Sequence, residues 1–217
     1  MQARHQRQQA HHPTLLAWIA APSTSPATQN WATFLKNHAP QIWACDFTQI
    51  YNLFFAPLFV FVIIELSSRR IVHTAVTAHP TDAWVAQQLR EATPWGEHPR
   101  FLIRDNDDKY GPHFAVVAAG SGIEILRTPI QAPNANSHCE RFLGSLHREC
   151  LDHVLILNER HLSKVVREYA DFFNHARPHQ GIRQAIPVPP KVEPPQTGKI
   201  IAFPVLGGLH HDYRRAA

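Results

Sequence analysis

Three runs rich in β-branched and aromatic side chains predict the first strands of this chain: Ile42–Phe47, Leu58–Glu65 and Ile71–Thr77. Pro80-Thr81-Asp82 then opens a helix, because Trp84, Val85, Gln88 and Leu89 recur at helical spacing. A short strand at Phe101–Arg104 is followed by a helical stretch from about Asp108 to Ala119, closed by Gly120-Ser121-Gly122. Ile123–Arg127 reads as a fifth strand, and Pro129–Asn136 as a loop. Two amphipathic helices come next. Asn136–Leu151 gathers Cys139, Phe142, Leu143, Leu146 and Cys150 on one face, and Glu159–Ala176 gathers Leu162, Val165, Val166, Tyr169 and Phe173, with Arg177-Pro178 ending it.

The two ends of the chain differ from this middle. Residues 1–40 are rich in His and Gln and broken by Pro13, Pro22, Pro26 and Pro40, which predicts a poorly ordered lead-in with a short helix at Trp31–Asn37. Residues 187–204 hold six prolines and predict an extended tail, 187–217, after a core at 41–186. The order of elements describes an α/β fold with a five-stranded mixed sheet flanked by helices.

Composition narrows the class. Apolar residues at 44% and charged residues at 18% belong to a globular chain and exclude a disordered one. Leu53–Ile64 is strongly apolar, but it contains Pro57 and stops at Glu65 after about a dozen residues, short of the ~20 that a span requires. Thr14–Ala21 has the wrong flanks for a secretory signal. The chain therefore reads as soluble, with no membrane partner. Cys45, Cys139 and Cys150 make no CxxC pair and leave an odd count, so each is expected to be a small buried apolar residue in a reducing compartment. Charge is segregated: residues 46–137 carry seven basic and nine acidic side chains, against three and none before them and eleven and eight after. An acid-rich centre between basic flanks suits a cation site that approaches phosphates.

Three acids stand out. Asp46 ends the first apolar strand, Asp105 directly follows Phe101-Leu102-Ile103-Arg104, and Glu140 lies in the first turn of the helix that starts near Asn136. A carboxylate among apolar strand residues is costly unless something pairs with it. If the first and fourth strands are neighbours, these ends converge, and clustered carboxylates select a hard cation, Mg²⁺ or Mn²⁺.

Four stretches carry a family resemblance: Gln41-Ile42-Trp43-Ala44-Cys45-Asp46-Phe47, Phe101-Leu102-Ile103-Arg104-Asp105, Asn136-Ser137-His138-Cys139-Glu140-Arg141-Phe142, and Asn174-His175-Ala176-Arg177-Pro178-His179-Gln180-Gly181. From about Trp31 to Pro187 the chain resembles the integrase core family, which comprises retroviral integrases and the related DDE transposases of bacterial insertion sequences. The 34 residues between Asp105 and Glu140 are close to the family's usual interval. Gly207-Gly208-Leu209 and Tyr213-Arg214-Arg215 echo the tail of some bacterial members. The resemblance implies an RNase H-like fold and two Mg²⁺ or Mn²⁺ ions held by Asp46, Asp105 and Glu140. It also implies cleavage and strand transfer at transposon ends and target DNA, by a homo-oligomer in the bacterial cytoplasm, associated with the nucleoid.

On the helix that bears Glu140, Gly144, His147 and Arg148 fall on the same side at i+4, i+7 and i+8 and are candidate DNA contacts, together with Asn136. A glycine here costs about 1 kcal/mol of helix stability and would leave a bare surface for DNA; close helix packing explains it equally well. Relatives often place Lys or Arg where His147 stands. Among rivals of the three acids, Asp107 does not abut the strand and Asp108 is more simply a helix N-cap. Glu149 lies too far along its helix and is expected to pair with solvent or Arg148. Glu65 and Glu124 read as strand-end charges. His175 and His179 are assigned to a loop near DNA or the sheet, and His11-His12 and His210-His211 to solvent.

Only Cys45 precedes Asp46, so the His/Cys zinc module of retroviral integrases is not expected, and the 45 residues before Asp46 leave no room for a helix-turn-helix of normal size. DNA recognition is then expected from another chain or the flanks. Two other classes stay open: a truncated remnant that only binds DNA or partner subunits, and a cellular RNase H-like nuclease that cleaves without strand transfer.

Overall fold

A computed structural model describes residues 31–128, 136–193 and 195–216. Residues 1–30 of the lead-in expected at 1–40, and all but the last residue of the loop predicted at Pro129–Asn136, lie outside the described residues.

Helix α1 (Trp31–His38) leads into strands β1 (Ile42–Tyr51), β2 (Pro57–Glu65) and β3 (Ile71–Thr77). Then come α2 (Asp82–Ala92), β4 (Phe101–Arg104), α3 (Pro112–Gly120) and β5 (Glu124–Arg127), followed by the long helices α4 (Ser137–Glu149) and α5 (Glu159–His175). The sheet order is β3-β2-β1-β4-β5; β1 pairs with β2 and β2 with β3 in antiparallel fashion, while β1–β4 and β4–β5 are parallel. This is the five-stranded mixed sheet of an RNase H-like fold, as expected.

Strand alternation sends the two faces of the sheet into separate cores. Ile42, Ala44, Val60, Val62 and Ile103 pack with the apolar stripes of α4 and α5. Trp43, Cys45, Phe61, Ile63 and Leu102 pack with α2 and α3. All three cysteines are buried and unbridged. Phe142 of α4 meets Phe173 of α5 edge-on, with ring centroids 4.8 Å apart. Among the described residues, no helix is long and apolar enough to cross a membrane, and the apolar run through Ile64 is β2.

Several expectations are corrected. The helix expected from Asp108 begins at Pro112, whose fixed φ and missing N–H suit the first turn. Its capping acceptor is remote: the Asp82 carboxylate accepts from the backbone N–H groups of Gly111, His113 and Phe114 at 3.0, 2.8 and 2.9 Å. Asp108 therefore caps nothing. Strand β1 runs on to Tyr51 because β2 accompanies it to the Tyr51–Pro57 pair, which leaves Asp46 in mid-strand and not at its end. The tail is not simply extended. Its last part is a hairpin, β6 (Ile200–Val205) and β7 (His210–Arg215), turned through Leu206, Gly207 and Gly208, all at positive φ. Pro204 is tolerated because a two-stranded ribbon has free edges. The hairpin docks on α5, where Leu206 N–H donates to Glu168 at 2.6 Å and the His210 ring stacks on Phe172 at 4.8 Å. His210 is thus packed, not solvated; His211 is exposed.

Candidate functional site

Parallel pairing of β1 and β4 ends at Ala44–Ile103. Asp46 and Asp105 each lie two residues beyond that pair, so both chains deliver a carboxylate at the same level of the sheet. Among the described residues, β1 has no strand partner on the β4 side past this point. The gap is where α4 arrives, with Asn136 and Glu140 at its N-terminal end.

Asn136 provides the clearest contact. Its side chain is 5% exposed, and its Nδ2 donates to Asp46 Oδ2 at 3.0 Å and more weakly to the Cys45 carbonyl at 3.4 Å. The Phe47 backbone N–H donates to Asp46 Oδ1 at 2.8 Å. Both oxygens of Asp46 are therefore oriented. Even so, its pKa is pushed from 3.8 to about 7. Burial is the main cause; the bond from Phe47 opposes it, and the negative charges of Asp105, Glu140 and Asp107 add to it. The three predicted acids thus share one electrostatic neighbourhood. Among the described residues, however, no three His, Cys, Asp or Glu side chains are assembled as a ready set of metal ligands.

The residues nevertheless suit a hard cation. Asn136 Oδ1 is buried without a hydrogen-bond partner beside Asp46, and the desolvated Asp46 carboxylate, which feels the charges of Asp105 and Glu140, forms no ion pair among the described residues. Oxygen donors in this number favour Mg²⁺ or Mn²⁺ over a softer ion.

Neighbouring side chains frame the group. Asp105 Oδ1 accepts from the Asp107 N–H at 3.2 Å, and the buried Arg104 guanidinium donates to the Asp105 carbonyl at 2.8 Å. Asp107 itself bonds Lys109. Thr48, two residues after Asp46 on the same strand, has its hydroxyl 2.8 Å from His147 Nε2. His147 is thereby tied to the sheet. Thr48 was not singled out from sequence, although the period of two puts it on the face of Asp46. Gly144 does not leave a bare surface: a Cβ there would stand 2.9 Å from Arg148 Nη1, because the Arg148 side chain lies back over it.

The remaining predicted positions have structural duties. Glu149 does not pair with Arg148. Arg177 grips it in a fork, Nε–Oε2 at 2.8 Å and Nη2–Oε1 at 2.6 Å, and the Tyr169 hydroxyl donates to Oε2 at 2.8 Å. Asn174 brackets the backbone of Ile71 with bonds of 2.8 and 2.9 Å, which fastens α5 to β3. His179 is buried against the Phe173 ring, and His175 lies 3.0 Å from Asp171. Glu65 pairs with Arg70 at 3.3 Å.

Residues 121–187 match the family model described as Integrase core domain, a segment that includes Glu140, α4, α5 and the turn after it. No curated protein matches the sequence. A chain from the structure of the simian T-cell lymphotropic virus intasome in complex with the PP2A regulatory subunit B56 gamma aligns with a TM-score of 0.55 at 17% identity, covering 82% of this chain and 67% of that one. The HTLV-2 integrase catalytic core domain, solved with magnesium, aligns in its trimeric form with a TM-score of 0.51 at 14% identity, covering 62% of this chain and 85% of that one. Its dimeric form gives 0.50 at 14%, over 63% and 87%. Identities this low establish fold alone, and the sequence match is confined to residues 121–187, the part that carries Glu140. Together they show an RNase H-like fold in which residues 121–187 resemble an integrase core domain.

Proposed function

We propose that the chain is a DDE polynucleotidyl transferase, a transposase or integrase core that cleaves DNA strands and joins them to target DNA, with Asp46, Asp105 and Glu140 holding two Mg²⁺ or Mn²⁺ ions. One observation carries this reading: the Asp46 carboxylate is buried, held by Asn136 and Phe47, and pressed by the charges of Asp105 and Glu140. Such a cluster is unfavourable by itself and becomes favourable once a cation enters it. The magnesium in the HTLV-2 core of the same fold supports the choice of ion.

When bound, the pair of ions would activate the attacking oxygen and stabilise the leaving 3′ oxygen in an in-line displacement. The protein's part is orientation. Asn136 and the Phe47 N–H fix both oxygens of Asp46, Arg104 steadies the backbone at Asp105, and Thr48 holds His147 beside the path of the DNA. The reaction then needs no nucleophilic Ser, Tyr or Cys: water opens the transposon end, and the freed 3′-OH attacks target DNA. His147 and Arg148 serve as phosphate contacts, with the Arg148 side chain lying over Gly144, while Asn136 acts through Asp46. The active complex is a homo-oligomer, as the dimeric and trimeric HTLV-2 cores and the viral intasome suggest.

A nicking and strand-transfer assay on labelled DNA carrying the element's own ends, with and without Mg²⁺, tests this reading. Asp46→Asn, Asp105→Asn and Glu140→Gln should each abolish Mg²⁺-dependent products while DNA binding persists. Product formation by any one of the three variants at the parental rate removes that residue from the site. DNA binding without nicking by the parent chain would instead identify a non-catalytic remnant.

A further inference from the structure

Flanking the face of α4 that carries Glu140 lies an open cleft of about 470 Å³, walled by α4, the 177–184 segment and the turn between β2 and β3. Arg69, Arg141, Arg148 and Arg177 line it, together with Ser145 and Gln184. Arg177 is neutralised by Glu149. The other three have no carboxylate partner among the described residues, and residues 1–30 and 129–135 contain no Asp or Glu that could supply one.

Arg69 is the most telling of them. Its Nη1 is buried and unbonded, and its backbone is held at φ +68 in the tight β2–β3 turn, a conformation that L residues adopt at a cost. A Cβ built on Gly181 would stand 3.8 Å from its Nε, so the guanidinium reaches across to the opposite wall. Burial, with the positive charge of Arg141 added, pushes Arg69 below its ordinary pKa, so two cations that repel are kept together. Arg141 and Arg148 are exposed and water can solvate them, but the buried Nη1 of Arg69 beside them has no partner among the described residues. A bound anion would supply one.

We propose that this cleft binds a phosphodiester of a DNA strand, at a site separate from the three acids and independent of divalent cations. The planar fork of arginine matches phosphate oxygens, and Ser145 and Gln184 add neutral donors. DNA is the favoured source because α4 presents both sites: at 3.6 residues per turn, Arg141 and Arg148 lie about 80–100° around the helix from Glu140. A strand seated in the cleft passes within about a helix diameter of the acids. This choice of source rests on the proposed function.

The test is duplex binding by fluorescence anisotropy in EDTA over a salt series, using the full chain, Arg69→Gln, Arg141→Gln, and Lys164→Gln as a control on the exposed face of α5. Each cleft variant should weaken binding roughly 10-fold and lower the slope of log K against log salt by about 0.9, with the control near the parent. Since each substitution removes like-charge repulsion, neither cleft variant should lower Tm without DNA, and a lower Tm would mark the cluster as structural and overturn the site. Unchanged affinity and slope in the cleft variants, or an equal loss in Lys164→Gln, overturns it as well. Inorganic phosphate forms a second arm. If it raises Tm of the parent while duplex affinity ignores both substitutions, the cleft holds a free anion and the proposal fails. Parental DNA binding with unchanged variants removes only this cleft, whereas no duplex binding by the parent removes the DNA reading too.

Discussion

Replacing Asp46 with asparagine removes the charge that the fold tolerates least. The carboxyl is pushed from 3.8 to about 7, mainly by burial and then by its acidic neighbours against the opposing Phe47 bond. A raised acid contributes stability below its unfolded pKa, and that stability is lost as pH rises through the folded value. Across 3.8 to 7 the full loss is ~4 kcal/mol at about 1.4 kcal/mol per pH unit. Partial exposure and salt screening reduce it to ~2 kcal/mol. The amide retains one acceptor where the carboxylate had two, so either the Phe47 N–H or Asn136 Nδ2 loses its partner, at ~1 kcal/mol. A flip of Asn136 limits this cost, because its unpaired Oδ1 can then accept from the introduced amide. Without metal, Asp46→Asn is therefore expected to exceed the parent in stability by ~1–2 kcal/mol at pH 8, or ~5 °C in Tm, and to lose that advantage near pH 4.5. Urea unfolding in EDTA at several pH values measures it, and the difference between the two proteins cancels the titration of shared histidines. A variant that is less stable than the parent at pH 8, or a difference that does not vary with pH, refutes the reasoning.

Two further outcomes follow from side chains near the site. Gly144→Ala should raise stability by ~0.5–1 kcal/mol in thermal unfolding, since the helix gains propensity and only the mobile end of Arg148, 2.9 Å from the new Cβ, must move; a loss above ~1 kcal/mol would mean that Arg148 is fixed in place. Glu149→Gln should cost ~2 kcal/mol in urea unfolding by breaking the fork with Arg177. Burial alone would raise Glu149, but the bonds from Arg177 and Tyr169 prevail and hold it below its ordinary 4.5, so its stabilisation is present above that pH and lost as acid protonates it. The variant should therefore lose stability less steeply than the parent below about pH 4.5, and parallel acid limbs would contradict this.

The strands β2, β3 and β4 and the helices α4 and α5 were legible because each has a local signature: β-branched runs between turn residues, or an apolar stripe at helical spacing. What escaped depends on remote partners. The start of α3 is set by Asp82, 29 residues before Gly111, and by Pro112, which outweighs a nearby Asp108. Strand β1 outruns its own apolar segment because β2 pairs with it to Tyr51. The hairpin at the end of the chain did have a signal in Gly207-Gly208, masked by the prolines before it. That Asp46 feels the charge of Asp105 follows from the pairing of β1 with β4, a strand order that a sequence can suggest. The grip of Asn136 on Asp46, across 90 residues, could not be read from spacing. The Asn174-to-Gly181 motif looked functional, yet its side chains mostly fasten α5 to β3 and α4.

Everything turns on whether the three acids take up cations. Isothermal titration of the full chain with Mn²⁺ at pH 7.5, without DNA and then with a duplex carrying the element's ends, measures this most directly. The account predicts saturable binding that approaches two ions per chain with DNA present, lost in Asp46→Asn, Asp105→Asn and Glu140→Gln, all still folded by circular dichroism. Binding that survives any of these substitutions unchanged, or no binding by the parent in either state, would contradict it.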